Sequence, residues 1–177
     1  MDYPQSCWYE GLDIRKLGHD EVVKIHELML DVVSRLPHKS LFVTDDEDYF
    51  HDLLEQHGEI YGAYDKGKLV AYSVLAYPGT GERNLGREFG VPDEELSRVW
   101  ALDSTIVLES VRGRGLQRYF NDLREKRAKI LGGQYLYSTV HPDNEASLRN
   151  LEAAQLSFQF TRLMYGGFQR HCYAKQL

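Results

Sequence analysis

The stretch Val107-Leu-Glu-Ser-Val-Arg112-Gly113-Arg114-Gly115-Leu116-Gln117 decides how the chain is read. An apolar run from Val99 to Leu108 leads into it, and a helical pattern with Leu116, Phe120, Leu123 and Ile130 on one side leaves it. A buried strand therefore passes through a short Gly and Arg turn directly into a helix. Backbone N–H groups in such a turn and in the first helical turn lack partners and point the same way. With the helix dipole they cradle phosphate oxygens, and Gly113 and Gly115 let a pyrophosphate approach without a Cβ in the way. Two other phosphate loops are excluded. No Gly-Lys-Ser/Thr is present for a nucleotide-hydrolase loop, and Arg118 stands where the dinucleotide fingerprint needs a small residue. Taken alone, the pattern serves equally as a basic turn capping a helix.

On either side of this segment the hydrophobic period switches between 2 and 3.6, so strands and helices are interleaved. Trp8 to Ile14 reads as one strand and His19 to Arg35 as a helix with Val22, Ile25, Met29, Val32 and Leu36 in its apolar stripe. Asp45 to Gln56 reads as a second helix, capped by Thr44 or Asp45. Ile60 to Tyr64 and Leu69 to Tyr77 flank the hairpin signal Asp65-Lys66-Gly67-Lys68. Residues 78–98 lack a regular pattern apart from a helical turn suggested near Asp93 to Leu96, and a stretch of that length is more often a functional lid than a passive link. After the Leu116 to Leu131 helix come a strand, Tyr135 to Val140, a helix, Asn144 to Ala154, and a hairpin, Phe158 to Tyr165 with Phe168 to Lys175. The fold class expected is α/β (α+β), a mixed sheet with helices on both faces.

With 177 residues, 42% of them apolar and 27% charged, the chain is sized and composed as a single globular domain spanning residues 1–177. The absence of a long apolar run or a leader pattern at Met1 to Ser6 makes a cytoplasmic location the expectation. Cys7 and Cys172 have no partners at metal-ligand spacing, so no metal is expected; a bridge between them stays open. The net charge of −6 argues against nucleic acid or membrane as partner. Between Arg112 and Lys129, however, seven basic residues face two acidic ones, so this segment carries +5 and the rest −11. A local cationic site in an acidic protein points to a small anionic ligand.

Arg112-Gly113-Arg114-Gly115-Leu116-Gln117 resembles the acyl-CoA pyrophosphate loop, Arg-x-x-Gly-x-(Gly/Ala), of the GNAT acetyltransferase superfamily, matching all but its last position. Thr139-Val140-His141-Pro142-Asp143-Asn144-Glu145-Ala146-Ser147 resembles that family's second block, a strand ending in Pro-x-Asn before a helix. The resemblance implies a mostly antiparallel sheet of six to seven strands and acetyl-CoA as acyl donor. It implies that the backbone of Arg112, Gly113, Arg114, Gly115, Leu116 and Gln117 holds the pyrophosphate. It further implies that Thr105, Ile106 and Val107 bond the pantetheine arm where this strand splays from the next. Asn144 and Ser147 would contact the cofactor, and Arg118 would meet the 3′-phosphate; the basic residues from Arg124 onward read as a solvated helix face.

The implied reaction is direct attack by the primary amine of a small molecule or peptide on the thioester, with the oxyanion stabilised by backbone N–H near Val107. A base must first take the amine proton. Asp103 interrupts an otherwise apolar or small strand, where charge is rare. Four residues before Val107, it shares that residue's side unless a bulge intervenes. Its other reading is a loop cap or a partner for an arginine. Leu151 stands where many members carry a tyrosine acid, and Gln117 replaces a small residue, so its side chain must point away from the loop. Water or Tyr165 would protonate the thiolate. Acceptor choice would fall to Leu36–Thr44, the 78–98 loop and the Tyr165–Phe168 tip. Leu151 also leaves open a non-catalytic acyl-CoA-binding protein, and a homodimer is compatible with either reading.

Overall fold

Glu10 and Gly11 both take positive φ, 48° and 79°, and fold the expected first strand into a hairpin. The structure, a computed structural model, describes residues 6–177; residues 1–5, part of the stretch read for a leader, lie outside it. The hairpin strands are β1 (Ser6–Tyr9) and β2 (Leu12–Leu17). They continue into β3 (Glu59–Asp65), β4 (Lys68–Ala76), β5 (Val99–Val107), β6 (Tyr135–Val140), β7 (Ser157–Met164) and β8 (Phe168–Gln176). One sheet holds them in the order β1-β2-β3-β4-β5-β6-β8-β7. It is antiparallel except between β5 and β6, as the fold class requires, but it has eight strands, not six or seven, because of that first turn. The Glu-Gly pair is a weaker turn signal than the Asn-Gly or Asp-Gly that marks a hairpin in sequence.

Helices α1 (Val22–Ser34) and α2 (Glu47–Glu55) cover one face of the sheet, where Ile25, Met29, Val32 and Phe50 pack on Ile60, Tyr72, Val74 and Ile106. The cap of α2 is Asp46, whose carboxylate accepts the Tyr49 N–H at 2.8 Å, one residue beyond the positions expected. Helices α3 (Leu116–Ile130) and α4 (Glu145–Ala153) cover the other face, with Leu116, Phe120 and Leu123 on Leu12, Ile14 and Tyr61, and Leu151 near Trp100 and Leu102. The 78–98 segment is ordered by two short 3-10 turns, Leu85–Phe89 and Asp93–Arg98. Buried Asn84 joins them, its Oδ1 accepting the Gly86 N–H at 2.8 Å and its Nδ2 donating to Leu96 O at 2.9 Å. Cys7 and Cys172 are not joined in a disulfide. Among the described residues no helix is long and apolar enough to cross a membrane.

Two irregularities at β5 shape the centre of the sheet. Its parallel pairing with β6 covers only Val99–Ala101, opposite Tyr135–Tyr137, after which the strands part. On its other edge the register with β4 jumps from Leu75↔Leu102 to Ser73↔Thr105, so that Asp103 and Ser104 together oppose Val74 in a bulge. Asp103 therefore does not share Val107's side of the sheet.

Of the basic residues from Arg124 onward, Lys126 and Lys129 are solvated as expected, but Arg124 and Arg127 are not. Arg124 is 2% exposed and Arg127 6%. Arg127 grips Glu59 through Nε at 2.9 Å and Nη2 at 2.8 Å, while Lys16 and Tyr61 also donate to Glu59. Burial would raise the Glu59 carboxyl, but these donors hold it down at about 2. A depressed folded-state pKa stabilises the fold above the unfolded carboxylate range and loses that contribution as the pH falls toward 2. Arg127→Met should cost about 3 kcal/mol at pH 7 by leaving buried Glu59 with only Lys16 and Tyr61 as donors. Urea unfolding should show that deficit shrinking as the pH falls below about 4; a deficit independent of pH would contradict the pairing.

Candidate active site

A backbone cradle opens α3. Gly113 and Gly115 take φ of 79° and 75°, in the left-handed region. The Arg112 N–H is used, donating to Glu109 O at 3.2 Å, and the Arg112 side chain folds back so that its Nε donates to Val107 O at 3.0 Å. Arg112 therefore leaves the expected set of free loop amides. Among the described residues the N–H groups of Gly113, Arg114, Gly115, Leu116, Gln117 and Arg118 donate to nothing. The opening hairpin braces this loop: Tyr9 donates its hydroxyl to Arg114 O at 2.8 Å, and its ring stacks on Tyr119. A Cβ on Gly115 would lie 3.0 Å from that hydroxyl.

Successive residues of a strand turn their amides to opposite edges. Leu108 donates to Val70 O on β4 at 2.8 Å, so Ile106 also faces β4, opposite Tyr72. Ile106 buries its side chain in the core, which removes it from the expected cofactor contacts. Thr105 and Val107 turn their amides toward the open edge left by β6. Val107 O is taken by Arg112, which leaves the Val107 N–H and both polar groups of the Thr105 backbone free on that edge.

The parted strands open into a cleft of about 730 Å³ that reaches from Gln117, Asn144, Ser147 and Leu151 to Asp45, Tyr49, Asp103 and Tyr165. Asn144 caps α4 by accepting the Ser147 N–H at 3.2 Å. The Gln117 side chain reaches away from the loop to Ser147 Oγ at 3.2 Å and Asn150 at 3.0 Å, as its place in the loop demands. Arg118 spends its Nε on Asn150 Oδ1 at 3.2 Å. Leu151 is buried, while the hydroxyl of Tyr165 lies 3.3 Å from Thr139 Oγ1.

Asp103 projects to the α2 side, where Tyr49 donates its hydroxyl to Oδ2. Burial pushes the Asp103 carboxyl up, and the Tyr49 bond and the Arg124 charge only partly offset it. Asp45 lines the same cleft, and burial first, then the charges of Asp103 and Asp46, push its pKa up to about 7. Behind Asp103, Arg124 donates to Val74 O at 2.7 Å and Asp103 O at 3.3 Å, bridging the bulge.

Sequence reasoning missed Asp45, Tyr49, Tyr9 and Arg124. The run Asp45-Asp46-Glu47-Asp48 did carry a signal, because only one residue can cap α2 and another is left over. All three segments expected to frame the acceptor reach the cleft, through Leu41 to Val43, Pro78 with Glu82 and Arg83, and Tyr165.

A model of the acetyltransferase (GNAT) family matches residues 25–155. No curated protein matches the chain. Among solved structures, an N-acetyltransferase from Staphylococcus aureus Mu50 is similar, at a TM-score of 0.69 and 16% identity over 92% of this chain and 96% of that one. A ribosomal-protein-alanine N-acetyltransferase from Brucella melitensis superposes at 0.69 with 17% identity, over 93% and 99%. A GNAT superfamily phosphinothricin acetyltransferase from Sinorhizobium meliloti, in complex with acetyl-CoA, does so at 0.71 with 13% identity, over 94% and 89%.

The coupling between Asp45 and Asp103 can be measured without any ligand. Carboxyl NMR titration should find Asp45 with a midpoint of about 7. In Asp103→Asn the like charge is gone, so that midpoint should fall toward the ordinary carboxylate range. An Asp45 that titrates near 4 in both proteins would contradict the geometry.

Proposed function

The chain belongs to the GNAT acetyltransferase family, and from that membership as an acetyl-CoA-dependent acetyltransferase we propose that it transfers the acetyl group to the primary amine of a small molecule or peptide. One observation carries the assignment of the site. Among the described residues the N–H row of Gly113 to Arg118 and the edge of β5 at Thr105 and Val107 are backbone donors without acceptors, and each reaches the same cleft at one residue, Gln117 and Thr105. An extended cofactor with a pyrophosphate at one end and amides along its arm fits such a row.

Bound acetyl-CoA supplies an activated thioester. The loop amides hold its pyrophosphate, while exposed Arg114 and the remaining guanidinium donors of Arg118 lie on the side suited to further phosphate. Asn144 and Ser147 are placed along the Gln117 end of the cleft. The Val107 N–H points into the parted edge, where it stabilises charge developing on the carbonyl oxygen.

Asp103 takes the proton from the attacking amine, directly or through a water. Its raised pKa makes it a stronger base than an ordinary carboxylate, and Tyr49, held protonated by burial and by Asp103 itself, fixes its orientation. Asp45, raised to about 7 by burial first and then by the charges of Asp103 and Asp46, stands in the same cleft. No dedicated acid is needed for the thiolate, since a thiol pKa near 8.5 makes it a tolerable leaving group. Tyr165 is nonetheless within the cleft to protonate it.

Asp103→Asn should lower turnover at least about tenfold while leaving CoA affinity nearly unchanged. Gly115→Ala should do the reverse, weakening CoA binding about tenfold through the left-handed backbone and the Tyr9 hydroxyl. Turnover assays with calorimetry separate the two. Unaltered turnover would remove Asp103 as the base, and unaltered affinity in Gly115→Ala would remove the loop as the phosphate site.

A further inference from the structure

Arg170 of β8 lines the cleft and is 4% exposed. Its Nη2 donates to Ser40 O at 2.8 Å and its Nη1 to Gln169 O at 2.9 Å, and its guanidinium carbon lies 5.7 Å from the ring centres of both Tyr165 and Phe168. Among the described residues no carboxylate pairs with it. The other interior arginines are differently placed: Arg127 is forked onto Glu59, and Arg124 donates to Val74 O, Asp103 O, Phe120 O and Asn121 Oδ1. Arg170 fills only two of the five donor positions a guanidinium offers. A cation withdrawn from water keeps its charge at a cost unless an anion meets it.

The position of this charge within the cleft matters. Asp45, Asp103 and Tyr165 line the same cleft as Arg170, whose guanidinium lies beside the Tyr165 ring. An amine drawn to the carboxylates next to the thioester site would leave the rest of its molecule beside Arg170. The guanidinium fork matches the paired oxygens of a carboxylate or a phosphonate. We infer that Arg170 receives an oxyanion carried by the acceptor itself, so that the substrate class is an amine bearing an acid, such as an amino acid, not a simple alkyl amine or polyamine. The inference deepens the proposed acetyl transfer and rests on it for the placement of the amine. It also gives the acidic cleft a selective role, since a purely cationic acceptor leaves Arg170 unpaired and a buried unpaired group discriminates strongly.

The test uses the whole protein with acetyl-CoA and matched acceptor pairs: α-amino acids and aminoalkyl phosphonates against the amines that lack only the acid. The acid-bearing member should be preferred at least about tenfold in kcat/KM. Arg170→Gln should erase the preference by raising KM for the acid-bearing member alone, and Arg170→Lys should restore part of it. Equal use of both members by the unaltered protein would overturn the inference while leaving acetyl transfer intact. So would an Arg170→Gln variant that slows both members alike, because that is the signature of a strap between β8 and the Ser40 loop. If no amine were acetylated, thermal shift with CoA and each pair would still decide. Stabilisation by the acid-bearing member, lost in Arg170→Gln, would support the anion site and sink the transfer reading. No stabilisation by any acid would overturn the anion site.

Discussion

The guanidinium of Arg124 ties together the three parts on which the site depends. It grows from α3, the helix that carries the glycine loop, and it ends on the carbonyls of Val74 and Asp103, the two sides of the bulge between β4 and β5. Burial pulls its pKa down to about 9, so it remains charged at neutral pH, and its hydrogen bonds to Phe120 O and Asn121 Oδ1 complete its shell. A bulge leaves backbone carbonyls without ladder partners, and in a sheet interior those need a donor from elsewhere. Arg124 supplies it. The loop, the bulge and the direction of the Asp103 side chain are therefore fixed relative to one another by one residue.

The charge of the molecule takes on a different meaning once the pairs are known. Of the seven basic residues between Arg112 and Lys129, Arg124 and Arg127 are buried, Lys126 pairs with Asp122 and Lys129 with Glu125. The cationic patch thus contracts to Arg112, Arg114 and Arg118 around the loop, and even Arg112 is folded onto Val107 O. The proposed phosphate site at this place therefore rests mainly on backbone N–H groups. The acidic remainder gathers partly at the cleft, where burial raises both Asp45 and Asp103 and the Asp103 charge raises Asp45 further, to about 7.

Most elements and the conformation of the glycine loop were legible in the sequence because they rest on local rules: hydrophobic period, glycine at left-handed positions, and a strand entering a helix. What was not legible depends on two segments meeting. The bulge that turns Asp103 to the α2 side is set by the register with Val74, which no pattern within β5 announces. The brace from Tyr9 to Arg114 spans 105 residues. Arg124 is an intermediate case, since it stands four residues after Phe120 and eight after Leu116 on the buried stripe of α3. Helical spacing placed it inside, and only the habit of reading arginine as a surface residue placed it outside.

The central claim is that the parted edge of β5, together with the loop, receives the cofactor through backbone amides. Amide hydrogen exchange with and without CoA measures this directly. The account predicts that Thr105, Val107 and Gly113 through Arg118 become protected on binding, while Ile106, already paired with β4, does not change. Binding of CoA that leaves Thr105 and Val107 exchanging freely would contradict it.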